Sequence, residues 1–195
     1  MADSSLAIAV AAHAHPGETL SGDAWRVDWH KGVCRLAVVD GLGHGPAAAV
    51  AAATATAALA ADPTFDPVAA VQTCHSALSG TRGAALLVAA IDLAAQRLTI
   101  AGAGNVEARL WQGGRGQHLV TDRGIVGAVI PRVRPIEVEL EDVWLLLIHS
   151  DGVRNRLDVD CPILSSMEAQ SIADVVLNEW SRGTDDATVL VARPA

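Results

Sequence analysis

Two apolar runs in this 195-residue chain end in the same way. LAVV (residues 36–39) leads into Asp40-Gly41, and VWLLLI (residues 143–148) leads through His149-Ser150 into Asp151-Gly152. Apolar runs of this kind, bounded by turn residues, read as strands. Two such strands that finish at one edge of the fold deliver both carboxylates to one place. The first is followed by Leu42-Gly43-His44-Gly45-Pro46. Taken alone, such a glycine loop usually only reverses the chain. A phosphate-cradling loop is the other familiar use, but there is no Gly-Lys-Ser/Thr ending, and the leading carboxylate would repel a phosphate. A cation suits Asp40, and glycine lets the backbone approach closely enough for the Gly41 carbonyl to serve as a second oxygen ligand.

One aspartate holds a divalent ion poorly, so the other acids matter. Asp23 lies in LSGDAW at the start of a predicted strand, and Asp185-Asp186 lie in GTDDATVLV just before the last one. Each alone reads as a strand-end turn or an N-cap, roles that Asp favours. Gathered together they would repel one another and need a cation. The net charge of -8, the single lysine (Lys31) and the scattered arginines argue against a nucleic-acid or anionic-membrane surface.

Alternation and β-branched content predict strands over residues 7–13, 24–29 and 34–39. Pro46 fits a first helical position, and the Ala/Thr/Val segment to Ala61 reads as a helix whose small side chains permit close packing on a sheet. A second helix is predicted over residues 67–78. AALLVAAIDL, RLTIAGAG and VEARLW then read as consecutive strands, with turns at residues 94–96 and 104–105, and a short strand over 117–120 follows. After the strand at residues 143–152 come a helical pattern over 165–180 and a last strand over 187–192. This order predicts a single α+β layered domain spanning residues 1–195, not an alternating parallel sheet.

Cys34, Cys74 and Cys161 are odd in number and far apart, as expected of reduced thiols. The apolar runs at residues 6–12 and 47–61 are too short to span a membrane, and the first lacks a basic flank. The expectation is a soluble cytoplasmic protein with no nucleic-acid and no membrane partner.

In chain order, Gly22-Asp23, the DGLGHG loop of residues 40–45, Ser150-Asp151-Gly152 and Asp185-Asp186-Ala187-Thr188 resemble the signature of the metal-dependent protein phosphatases related to type 2C (the PPM family). The DGLGHG form and the short spacing resemble its SpoIIE branch, and within that the stand-alone RsbX-like subgroup. The resemblance runs from about residue 17 to 193 and includes TRGAALLVAAID and GAGNVEARL. It implies a four-layer α/β/β/α sandwich of two antiparallel sheets flanked by helices, with the metal site at one edge. It further implies that Asp40 bridges two Mn²⁺ or Mg²⁺ ions, with the Gly41 carbonyl and Asp23 on one, directly or through water, and Asp151 and Asp185 on the other. Asp185 is preferred to Asp186 because the ligand comes first in the family's run. The implied activity is hydrolysis of phosphoserine or phosphothreonine by direct attack of a hydroxide bridging the metals. The implied partner is a phosphorylated STAS-domain protein, an anti-sigma antagonist or a stressosome scaffold.

The departures bear on mechanism. In this family a histidine near the metal loop is the general acid and an N-terminal arginine clamps phosphate. Here Leu42-Gly43 shifts His44 along the loop, and no arginine lies between residues 16 and 24. His44 either protonates the leaving oxygen or fixes the loop by hydrogen bonding. Two other functions stay open: a phosphatase-like docking module that no longer turns over, and a metal-dependent hydrolase of a small phosphoester. His13 and His15 lack partners at zinc-like spacing and read as strand or turn residues. Gly102-Ala103-Gly104 opens no helix and reads as a hairpin. The five dispersed tryptophans read as core or cover residues.

Overall fold

The structure is a computed structural model describing residues 5–130, 132–155, 157 and 167–195. Among the described residues the elements are β1 (Leu6–His13), β2 (Asp23–His30), β3 (Val33–Gly41), α1 (Pro46–Ala61), α2 (Pro67–Ala77), β4 (Ala84–Asp92), β5 (Arg97–Ala103), β6 (Glu107–Gln112), β7 (Arg115–Leu119), β8 (Ile136–Glu139), β9 (Trp144–His149), α3 (Ala169–Trp180) and β10 (Ala187–Pro194). The strands make two antiparallel sheets, ordered β1-β10-β9-β6-β7 and β2-β3-β4-β5-β8. The expected four-layer sandwich is therefore observed.

Period-two burial explains the continuous apolar runs. In β3, Cys34, Leu36 and Val38 enter the core between the sheets, whereas Ala37 and Val39 face α1 and α2. In β4, Leu87, Ala89 and Ile91 point inward while Leu86 and Val88 meet the helices. The second sheet repeats the scheme: Leu146, Ile148 and Leu190 fill the central core, and Leu145, Leu147 and Val189 pack under α3. A strand covered on both sides has no polar face to show.

Helix α1 begins at Pro46 after Gly45, and it buries Ala48, Ala51, Ala52, Ala55 and Leu59. Its methyl-sized side chains let the helix backbone sit close to β3. Asp66 caps α2 by accepting from the Ala69 N–H at 2.7 Å. Arg35, buried in β3, pairs with Asp28 of β2 at 2.9 Å and ties the sheet to the end of α1 through Asp62 at 3.0 Å.

Some boundaries differ from expectation. The strand expected at 117–120 runs from Arg115 to Leu119, because Gly113 (φ 56°) and Gly114 (φ 72°) form a two-residue hairpin that pairs Gln112 with Arg115. The edge strand β8 was not anticipated; it forms by pairing with β5, Ile136 opposite Ile100. Helix α3 starts at Ala169, and the expected helical residues 165 and 166, like Cys161, lie outside the described residues. Trp111 and Trp144 are buried, but Trp25 and Trp29 stand half exposed on the edge strand β2.

Candidate metal centre

The antiparallel pairing of β2 with β3 places Asp23 directly opposite Asp40. The Gly41 N–H donates to the Gly22 carbonyl at 3.0 Å, which closes that end of the sheet. Asp151 follows β9 and the pair Asp185-Asp186 precedes β10, two neighbouring strands of the other sheet. The four loop ends meet at one edge of the sandwich. Asp40, Asp151 and Asp185 line an open cleft of about 680 Å³, whose walls also carry Gly43, Asn105 and Arg123.

The glycine that follows each strand-end aspartate has a structural reason. A Cβ on Gly41 would collide with the carbonyl of Ala48 in α1, and one on Gly152 would collide with the carbonyl of Asp186. Each glycine lets a second backbone segment close against the carboxylate-bearing turn. The Asp-Gly pairs therefore mark the places where the layers converge.

The carboxylates are held from behind. Ser150, fully buried, donates its hydroxyl to Asp23 Oδ2 at 2.6 Å and accepts from the Thr188 N–H at 2.9 Å. Asn105 donates its amide to Asp151 Oδ2 at 2.6 Å, and Arg182 Nε donates to the Asp151 carbonyl at 2.8 Å. The Asp186 carboxylate accepts from the His15 N–H at 2.8 Å.

Electrostatically the site is short of positive charge. Burial pushes the Asp23 carboxyl up to about 7; the hydrogen bonds from Ser150 and Thr188 pull it down and the charges of Asp186 and Asp151 push it up. Asp40 is raised by burial and then by Asp23, Asp151 and Asp185. Asp151 is raised by burial and by Asp185, against the pull of Arg182. Like charges in a partly dry site disfavour ionisation, and a bound divalent ion inverts that preference.

These residues fit hard cations. The donors are oxygens alone, as Mg²⁺ and Mn²⁺ prefer, and the buried oxygens Asp23 Oδ1 and Asp186 Oδ2 have no hydrogen-bond partner. Among the described residues no three His, Cys, Asp or Glu side chains already converge on one point as a closed cage. Asp40, Asp151 and Asp185 line the open cleft instead, which suits an ion that keeps several waters. Asp40, Asp151 and Asp185 would hold an ion in the cleft they line, whereas Asp23 and Gly41, named with them from the sequence, are buried and are not among its lining residues.

His44 stands elsewhere. It does not line the cleft; its ring stacks on His15 with centroids 4.2 Å apart, and its Nδ1 lies 2.9 Å from Glu18 Oε1. His15 was expected to be an ordinary turn residue, and its contact with a histidine nearly thirty positions away left no local signal. Ser150, Asn105 and Thr188 sit inside the sequence motifs, but their roles as props emerge only from the packing. Arg123 follows β7, where nothing in the pattern points to a site.

The profile of the stage II sporulation protein E (SpoIIE) family matches residues 30–195. The chain belongs to the SpoIIE family. It is thereby a serine/threonine protein phosphatase of the metal-dependent PP2C type. A chain from a structure of the bacterial stressosome, described as a modular system adapted to control secondary messenger signalling, is 31% identical to it. That match covers 97% of this chain and 100% of the other, with a TM-score of 0.91. RsbX in complex with magnesium is similar over 97% of this SpoIIE-family chain and 96% of its own, at 19% identity and a TM-score of 0.86. The PP2C domain of SpoIIE from Bacillus subtilis, with a fragment of its regulatory domain, is 21% identical, with a TM-score of 0.79 over 98% of this chain and 62% of that one. Among curated protein sequences none matches. Among the described residues no helix is long and apolar enough to cross a membrane.

Proposed function

We propose that this chain removes phosphate from phosphoserine or phosphothreonine on STAS-domain regulators of a bacterial stress-signalling assembly, either an anti-sigma antagonist or a stressosome scaffold. The observation that carries the reading is the end-to-end similarity, at 31% identity, to a chain of the bacterial stressosome. The shape of the site supports a protein substrate. Its cleft opens at the joined edges of two sheets and offers little enclosure for a free metabolite.

In this reading Asp23, Asp40, Asp151, Asp185 and the Gly41 carbonyl would hold two Mn²⁺ or Mg²⁺ ions. When bound, such ions neutralise phosphoryl oxygens and lower the pKa of a water. The chain's own residues do the rest. Asn105 and Ser150 fix the orientation of Asp151 and Asp23. Arg123, on the cleft wall and exposed, supplies the positive charge that residues 16–24 lack, and meets the substrate phosphate. His44, engaged by Glu18 and His15, holds the glycine loop in place, and the leaving serine oxygen takes its proton from solvent in the open cleft.

The test is Mn²⁺-dependent release of phosphate from a phosphorylated STAS protein encoded near this gene, beside a nucleotide and a sugar phosphate. Faster hydrolysis of either small phosphoester would favour the small-molecule alternative. No release from any of the three would favour a docking module.

A further inference from the structure

The two aspartates of GTDDATVLV do not face the same way. Asp185 lines the open cleft with Asp40 and Asp151. Asp186 is only 4% exposed and turns inward, where its Oδ2 comes within 2.8 Å of the position a side chain on Gly22 would take. That position is also 3.1 Å from the Gly43 carbonyl. Asp186 therefore reaches the residue that precedes Asp23.

Asp23 and Asp186 are matched in a second respect. Each is buried, at 9% and 4% exposure, and each has one oxygen anchored and one free. Asp23 Oδ2 accepts from Ser150, and Asp186 Oδ1 accepts from the His15 N–H. Asp23 Oδ1 and Asp186 Oδ2 have no partner. Among the described residues neither carboxylate forms an ion pair with a basic side chain.

A purely structural role accounts for only half of this. Holding the His15 N–H needs one acceptor oxygen, which an asparagine would provide without placing a second negative charge beside Asp23. A buried carboxylate with an orphaned oxygen is costly unless something positive meets it.

We propose that Asp186 is an inner ligand of this site: with Asp23 it holds a divalent cation, Mn²⁺ or Mg²⁺, on the buried side of the cleft, directly or through one water. Asp185 serves the outer, open side. The tandem acid pair thus divides between two ions. The proposal rests on the metal-dependent reading given above.

The test is binding, not turnover. Mn²⁺ is titrated calorimetrically into full-length wild type and into Asp186→Asn, and both are melted with Mn²⁺ and with excess chelator. Asparagine keeps the oxygen that accepts from His15 and removes the charge. The expected result has opposite signs in the two conditions: the metal-free variant melts higher than metal-free wild type, while one Mn²⁺ binds at least about 10-fold more weakly and the Mn²⁺-induced rise shrinks. Equal Mn²⁺ isotherms would overturn the inference. So would a variant that melts lower without metal or fails to fold, because removing a repelling charge should help the metal-free protein. A wild type that binds no Mn²⁺ would overturn the metal reading of the whole site, and this inference with it.

Discussion

Ser150 Oγ donates to Asp23 Oδ2 at 2.6 Å, joining the end of one sheet to the start of the other across 127 positions of sequence. The same hydroxyl accepts from the Thr188 N–H. One small side chain thus satisfies a buried amide and aims a carboxylate. Ser150→Ala leaves the buried Thr188 N–H unpaired and takes from Asp23 one of its two side-chain hydrogen bonds, and an unmet buried polar group costs about 1–3 kcal/mol. The expected outcome is a lower melting temperature in chelator, by roughly 2–4 °C per kcal/mol for a chain of this size. An unchanged melt would mean the tie carries no stability.

Stability of the metal-free protein should fall as pH rises. Asp23 titrates at 3.8 when unfolded and at about 7 when folded, and Asp40 is raised as well. The folded state therefore holds protons that the unfolded state has released, so the carboxylates weaken the fold progressively as pH climbs from about 3.8 through about 7. Melts in chelator at pH 5 and pH 8 should show the higher midpoint at pH 5, and saturating Mn²⁺ should narrow the gap. A midpoint that rises with pH in chelator contradicts the raised carboxyls.

Asp40→Asn or Asp151→Ala should abolish phosphate release at saturating Mn²⁺ while leaving the metal-free fold at least as stable as wild type. Both side chains line the cleft, and neither belongs to an apolar core. Wild-type rates in either variant would falsify the assignment of the site.

Arg123 is exposed on the cleft wall. A charge-assisted contact to phosphate contributes about 1.5–3 kcal/mol, so Arg123→Ala should lower kcat/KM by at least about 10-fold, with Arg123→Lys recovering part of it. Phosphoprotein kinetics at fixed Mn²⁺, with a melt alongside, distinguish this from unfolding. Equal kcat/KM in the alanine variant removes Arg123 from the reaction.

An open cleft leaves recognition to the surrounding surface. Remote binding energy then raises the rate at the reacting centre, and truncated substrates lose turnover as well as affinity. The kcat/KM for an intact phosphorylated STAS protein should exceed that for a short phosphoserine peptide by about 100-fold, or about 2.7 kcal/mol. Comparable values on both would argue against recognition of a folded partner.

The sequence by itself determined the elements that obey a local rule. Strands β3, β4 and β9 announced themselves by their apolar runs, α1 by Pro46 and its alanines, and the strand ends at Asp40 and Asp151 by the glycine that follows each. Strand β8 has the half-exposed residues Ile136–Glu139 and no such run; it exists because β5 offers it an edge. The Gly113-Gly114 hairpin sets the register of β7 and starts it at Arg115, two residues before the expected residue 117. Only the tertiary structure decided that Asp185 faces the cleft while Asp186 turns inward, that His44 rests on His15 and Glu18, and that Ser150 props Asp23. Periodicity is a property of neighbours along the chain, so it reports which face of an element is buried. Which particular atoms then meet is fixed by the packing of two sheets and their loops, whose contacting residues lie 26 positions apart at His44 and Glu18 and 127 apart at Ser150 and Asp23, and no local pattern encodes that choice.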